Sequence, residues 1–152
     1  MYKTYGKLLA ATRKNAGYSQ EAVAEKFYIS VGSIRKYENG EYLPPEDIVA
    51  QMIILYDTPR VGYEWLRQNS VGMMLLPELV EKSLYEICSD LYREIKDAIR
   101  LERRLGNIVA DNKIDRNEII THQRGQAVIK RIIQAAFSFL VHEKTAPARA
   151  AR

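Results

Sequence analysis

Apolar positions in this chain of 152 residues recur at helical steps, and the residues that interrupt them divide it into two textures. In the first, Leu8, Leu9 and Thr12 share one face of a helix predicted over about Thr4 to Ala16, ended by Gly17. Two shorter helices follow, roughly 19–27 and 30–39. Ser19 and Ser30 stand where each begins, and a serine hydroxyl there accepts from an orphan backbone N–H. Gly17 and Gly40 stand where helices stop, because glycine takes the left-handed conformation cheaply. Leu43-Pro44-Pro45-Glu46-Asp47 then breaks the chain and restarts it. Pro45 suits a first helical turn, and Glu46 and Asp47 complement the positive end of the helix dipole. Ile48, Val49, Met52, Ile53 and Leu55 predict a fourth, mostly buried helix. Asp57-Thr58-Pro59 ends it, and a fifth helix carries Val61, Tyr63, Trp65 and Leu66.

Ser70-Val71-Gly72 reads as a connection, and from Leu76 the repeats lengthen. Leu84, Ile87, Leu91, Ile95, Ala98 and Leu105 recur at intervals of three, four or seven among charges. Asp111-Asn112-Lys113 reads as a turn, and Asp115 to Glu118 as a D-x-x-E helix start. Ile119, Ile129, Ile132, Ile133, Ala136, Phe137 and Leu140 form a second stripe. The two stripes, about 77–109 and 115–143, predict an antiparallel hairpin. Such a hairpin has too little core to stand alone, so it is expected to pack on the first domain or on a second copy. The expected architecture is all-α: a five-helix domain over 1–70, a long helical hairpin over 73–144 and a disordered tail over 145–152.

Composition narrows the function classes. A hydrophobic fraction of 47% and a charged fraction of 28% fit a packed core. No apolar run approaches the ~18 residues that a membrane span needs, and the N-terminus lacks an apolar core of signal-peptide length. One cysteine, Cys88, cannot form an internal disulfide, which fits a reducing cytosol, and a cytoplasmic location is expected. Its setting among apolar residues reads as packing. His122 and His142 are twenty residues apart, with the cysteine distant, so no zinc-site spacing exists. Asp111-Asn112-Lys113-Ile114-Asp115 departs from a calcium loop: Lys113 takes the third position, Arg116 replaces the turn glycine, and His122 stands where glutamate is required. No phosphate-cradling glycine loop, G-x-S-x-G or paired carboxylate nominates an enzyme, and no cofactor or metal is expected. The ten tyrosines spread along the chain and read as amphipathic packing.

The net charge is +4, and its placement is informative. Residues 1–40 hold seven Lys/Arg against three acids, giving +4; residues 41–70 hold two against five, giving −3; residues 71–152 hold fourteen against eleven, giving +3. Positive charge therefore gathers on the segment with the two short helices, where phosphate contact would need it. Two capped helices with a three- or four-residue connection match the helix-turn-helix pattern. The second carries adjacent Arg35 and Lys36 and is the candidate to enter a major groove.

The first 68 residues resemble the bacterial and phage repressors with a Cro/C1-type (XRE-like) helix-turn-helix. The matching features are Arg13-x-x-x-Gly17-x-Ser19-Gln20, Ala24, Ile29-Ser30, Ile34, Glu38-x-Gly40, and Tyr63-Glu64-Trp65-Leu66 as the closing helix. The resemblance implies that Gln20 bonds a DNA phosphate, and that Ser33 and Lys36 face the groove. Lys36 would donate to guanine O6/N7 or to a phosphate, and Arg35 to the backbone. It implies that the side chain or backbone of Asn39 meets phosphate, and that Arg13 and Glu38 form an internal ion pair tying helix one to helix three. Many members append a helical dimerisation element, which the hairpin would supply. Ser30, Val31 and Gly32 open the reading helix, but neither Val31 nor Gly32 has a side-chain hydrogen-bonding group, although Val31 could touch a thymine methyl. Glu41 would oppose phosphate. Modest monomer affinity is therefore expected, with specificity resting on a dimer and partly on DNA shape. The expectation is a dimeric, sequence-specific regulator of double-stranded DNA, a repressor at a two-fold symmetric operator. The rival expectation is a protein-interaction adaptor that keeps the fold without specific reading, with a partner on the hairpin.

Overall fold

The computed structural model describes residues 2–109, 114, 116 and 118–142, and all its regular elements there are helices. Two compact units emerge, one up to Leu75 and one over Leu76–His142. In the first, α1 (Lys3–Asn15), α2 (Gln20–Lys26), α3 (Val31–Glu38), α4 (Glu46–Tyr56), α5 (Arg60–Leu66) and α6 (Ser70–Leu75) follow in order. Leu9, Val23, Ile34, Met52 and Val61 are fully enclosed, joined by Tyr5, Ala24, Phe27, Ile48, Val49 and Tyr56. Each fully buried aliphatic side chain is worth roughly 1.5–3 kcal/mol, so five short helices hold together through one shared core.

Local chemistry sets the helix limits. Ser19 Oγ accepts from the Ala22 N–H and Ser30 Oγ from the Ser33 N–H, both at 3.0 Å. At the far ends, α1, α2 and α3 finish in the same way. Tyr18 N–H reaches Arg13 O at 3.1 Å, Ile29 N–H reaches Ala24 O at 3.0 Å, and Glu41 N–H reaches Lys36 O at 2.9 Å. Each closure needs one left-handed residue, supplied by Gly17 (φ 80°), Tyr28 (φ 55°) and Gly40 (φ 69°). Asp57 (φ 51°) plays this part after α4.

Packing of α1 on α3 depends on Gly6. A Cβ there would collide with Glu38 O and lie 2.7 Å from Gly40 N and 2.8 Å from Tyr37 O. At the other end of the domain, Trp65 Nε1–H donates to Pro44 O at 3.0 Å and fastens α5 to the start of α4. Pro45 is the extended N-cap of α4, one position before the helical turn expected for it.

The segment expected to connect the halves is partly helical: Ser70–Leu75 forms α6, capped by Asn69 Oδ1, which accepts the Gly72 N–H at 2.7 Å. The second unit holds α7 (Leu84–Val109) and α8 (Ile119–Leu140), packed on each other as an antiparallel hairpin. Helix α7 starts at Leu84, not near 77, because Ser83 and Glu86 form a capping box. The Ser83 N–H donates to Glu86 Oε2 at 2.8 Å, and the Glu86 N–H to Ser83 Oγ at 3.3 Å. The inward line of α7 also differs from the expected stripe. Ile87 and Glu94 are buried while Leu84 and Ile95 are exposed, because Arg131 Nε from α8 meets Glu94 Oε2 at 2.7 Å. On α8 the buried residues are Gly125, Val128 and Ala135; Ile119, Ile129, Ile133 and Leu140 are exposed. Cys88 is exposed, which corrects its reading as a packing residue. The turn expected at Asp111-Asn112-Lys113, the cap at Asp115 and the tail from Thr145 lie outside the described residues.

Candidate nucleic-acid interface

Ile34 anchors α3 in the core, so the opposite face of the helix is outward. Gly32, Arg35, Lys36 and Asn39, at steps of three and four, are all exposed there. Ser30 is exposed at the helix start, and Val31 and Ser33 are half-buried beside it. The Ser33 hydroxyl is 2.9 Å from Ser30 Oγ, so the two serines brace the first turn. Lys36 Nζ lies 5.7 Å from the centre of the Tyr42 ring, at the outer range of a cation–π contact. The Asn39 side-chain amide donates to Glu41 Oε1 at 3.2 Å.

Beneath this face runs a polar rail. Arg13 Nε and Nη2 donate to Glu38 Oε1 and Oε2 at 2.6 and 3.0 Å. Arg13 Nη1 donates to Tyr18 O at 2.7 Å. The two side chains expose only 8% and 9% of their surface. The Glu38 carboxylate raises the Arg13 guanidinium pKa further above its ordinary value, against the opposing effect of burial. Gln20 extends the rail: its Nε2 donates to Glu38 Oε2 at 2.8 Å, and its Oε1 accepts from Arg35 Nε at 3.3 Å. One chain of bonds thus runs from α1 through α3 and the start of α2 to Arg35. A bidentate pair with a third donor on the same carboxylate fixes orientation as well as energy. The rail therefore sets the angle between α2 and α3.

Burial raises the phenols of Tyr5 and Tyr56 far above the usual tyrosine range, so both are neutral core residues at physiological pH. Among the described residues, no three His, Cys, Asp or Glu side chains gather into a metal site, and no helix is long and apolar enough to cross a membrane.

Residues 4–66 match a family described as a helix-turn-helix domain. The N-terminal unit is a helix-turn-helix domain. Comparison with curated proteins and with solved structures gives no match. The helix-turn-helix domain is an architecture of DNA-binding regulators, with the second helix of the pair as the reading element. In this one, α2 and α3 are that pair, and Phe27 to Ser30 is the turn. Sequence reasoning missed three features of the domain and its companion unit. Gly6 left no signal except its position inside a helix, and Tyr28 gave none, since tyrosine carries no turn preference. The Ser83-x-x-Glu86 box was visible as a pattern.

Proposed function

We propose that the chain is a sequence-specific transcriptional regulator that binds double-stranded DNA as a homodimer and represses by occluding a promoter. The observation that carries this reading is the outward face of α3, with Gly32, Arg35, Lys36 and Asn39 exposed above the Arg13–Glu38–Gln20 rail. In this reading α3 enters the major groove. Lys36 reaches a guanine edge or a phosphate, Arg35 reaches the backbone, Ser30 and Ser33 fix the first turn, and Val31 packs against a thymine methyl. Gln20 would contact phosphate through the second N–H of its amide, while the first keeps its bond to Glu38.

The dimer would form through the hairpin unit. Tyr85, Tyr92 and Ile99 on α7 are exposed at seven-residue spacing, with Cys88 and Ile95 exposed between them. That is an a/d stripe of the kind that two helices bury against each other. Two copies would set their recognition helices about 34 Å apart on a two-fold symmetric site.

A rival reading, a protein-interaction adaptor, draws on Gly32 and Val31, which offer no polar side chain at the start of the reading helix, and on Glu41, which engages Asn39. Selection of full-length protein against a random DNA library separates the two. The regulator yields a symmetric consensus with half-sites one helical turn apart. The adaptor yields no enrichment, together with a stoichiometric protein partner.

A further inference from the structure

Two residues at the start of the reading element contradict their local backbone. Tyr28 occupies the left-handed position that closes α2, with φ 55°. The same closure after α1 and after α3 is made by Gly17 and Gly40. A side chain at that position clashes with its own carbonyl, which is why glycine is preferred there. Packing does not compensate, because 97% of the Tyr28 surface is exposed. Gly32 shows the converse: it is a glycine inside the exposed first turn of α3, where a Cβ would meet only Ser30 Oγ at an ordinary 3.5 Å. Alanine would be the better helix former there. A large aromatic thus stands where glycine fits, and a glycine stands where a side chain fits, four residues apart beside the N-cap Ser30. Neither choice benefits the isolated domain, and local rules broken without internal gain mark functional positions.

We infer that Tyr28 is a DNA-backbone contact, its hydroxyl donating to a phosphate oxygen at the edge of the groove that α3 enters, while Gly32 lets the helix approach closely. The inference rests on the regulator reading above. A contact from the turn supplies anchoring that Val31 and Gly32 cannot give by hydrogen bonding. Because phosphate carries no base identity, the contact strengthens cognate and unrelated sequences alike. Being uncharged, the phenol adds nothing to counterion release.

The test uses the full chain, a duplex recovered by library selection and a scrambled duplex of equal length, with fluorescence anisotropy and urea unfolding of each variant. Tyr28→Gly is expected to unfold at the same or higher urea concentration than wild type. It should bind both duplexes roughly tenfold more weakly, the size of one hydrogen bond to a charged group, with an unchanged salt slope. Tyr28→Phe should reproduce most of that loss, since it removes the hydroxyl alone. Tyr28→Gly binding within twofold of wild type overturns the contact and leaves the regulator reading intact. A library selection with wild-type protein that enriches no duplex overturns both.

Discussion

Removing the Arg13 guanidinium tests how far the rail holds the domain together. Arg13→Met keeps most of the aliphatic stem and deletes three donated bonds, two to Glu38 and one to Tyr18 O. Glu38, about nine-tenths buried, is left with the Gln20 amide at 2.8 Å as its remaining partner in the rail. Breaking a buried pair from one side costs roughly 3–5 kcal/mol, because a desolvated charge stays behind. For a domain whose total stability is on the order of 5–15 kcal/mol, that is a large fraction. With a urea slope of about 2 kcal/mol per molar, the midpoint should fall by about 2 M. Arg13→Met/Glu38→Leu removes both charges and should recover much of the loss, since apolar replacement of a buried pair is often neutral. The assay is urea unfolding of the wild type, both single variants and the double variant, followed by circular dichroism. A single-variant cost below about 1 kcal/mol, or a double variant as unstable as the sum of the two singles, would refute a coupled buried pair.

Other perturbations report on separate parts of the molecule. Gly6→Ala drives a methyl group into the backbone of Tyr37, Glu38 and Gly40 and should cost about 3 kcal/mol, the upper end of typical overpacking, in the same unfolding assay. Gly32→Ala should instead raise stability by up to about 1 kcal/mol, because its Cβ meets only Ser30 Oγ, at an ordinary contact distance, on a helix; a loss of stability would mean the position is more confined. Tyr92→Glu places a charge in the exposed stripe of α7 and should convert a dimer to a monomer by light scattering; a dimer that persists would remove this stripe from the interface. The Ser83 hydroxyl and N–H hold the Glu86 carboxyl below its usual range. This contribution to α7 is therefore complete above the ordinary glutamate pKa of about 4.3 and is lost as pH falls through the lowered folded value. An NMR titration should find Glu86 below its ordinary value in the wild type and closer to it in Ser83→Ala, which loses the hydroxyl but keeps the N–H.

Much of the N-terminal domain was legible because its helices are bounded by residues with strong positional meaning. Ser19 and Ser30 cap, Gly17 and Gly40 close, and the apolar set of α4 points to a core. The hairpin was legible as a topology but not face by face. In α7, residues at 84, 87, 91, 94, 95 and 98 fit a helical stripe almost equally well, so periodicity alone could not choose Glu94 over Ile95 for the inside. That choice depends on Arg131, thirty-seven positions away. The start of α7 was misplaced because the apolar repeat was followed back past the Ser83-x-x-Glu86 box, which ends it. Of the interface, the family resemblance implied Ser33 and Lys36 on the groove side; Lys36 is exposed and Ser33 half-buried. The engagement of Gln20 with both Glu38 and Arg35 was not legible, because an amide can serve either a phosphate or a neighbour and only three-dimensional proximity decides. Tyr28 was invisible for a related reason: its backbone angle is imposed by the closure of α2, and nothing in its own chemistry announces it.

Contact between DNA and the outer face of α3 would be read in the salt dependence of binding. Full-length wild type, Arg35→Ala and Lys36→Ala are titrated onto a selected duplex across a range of salt concentrations. A cation that neutralises a phosphate steepens the plot of log affinity against log salt by about one. Loss of about one unit of slope in Arg35→Ala, with weaker binding in both variants, is the predicted result. Wild-type slope and affinity retained in both would place any DNA contact elsewhere and contradict the account.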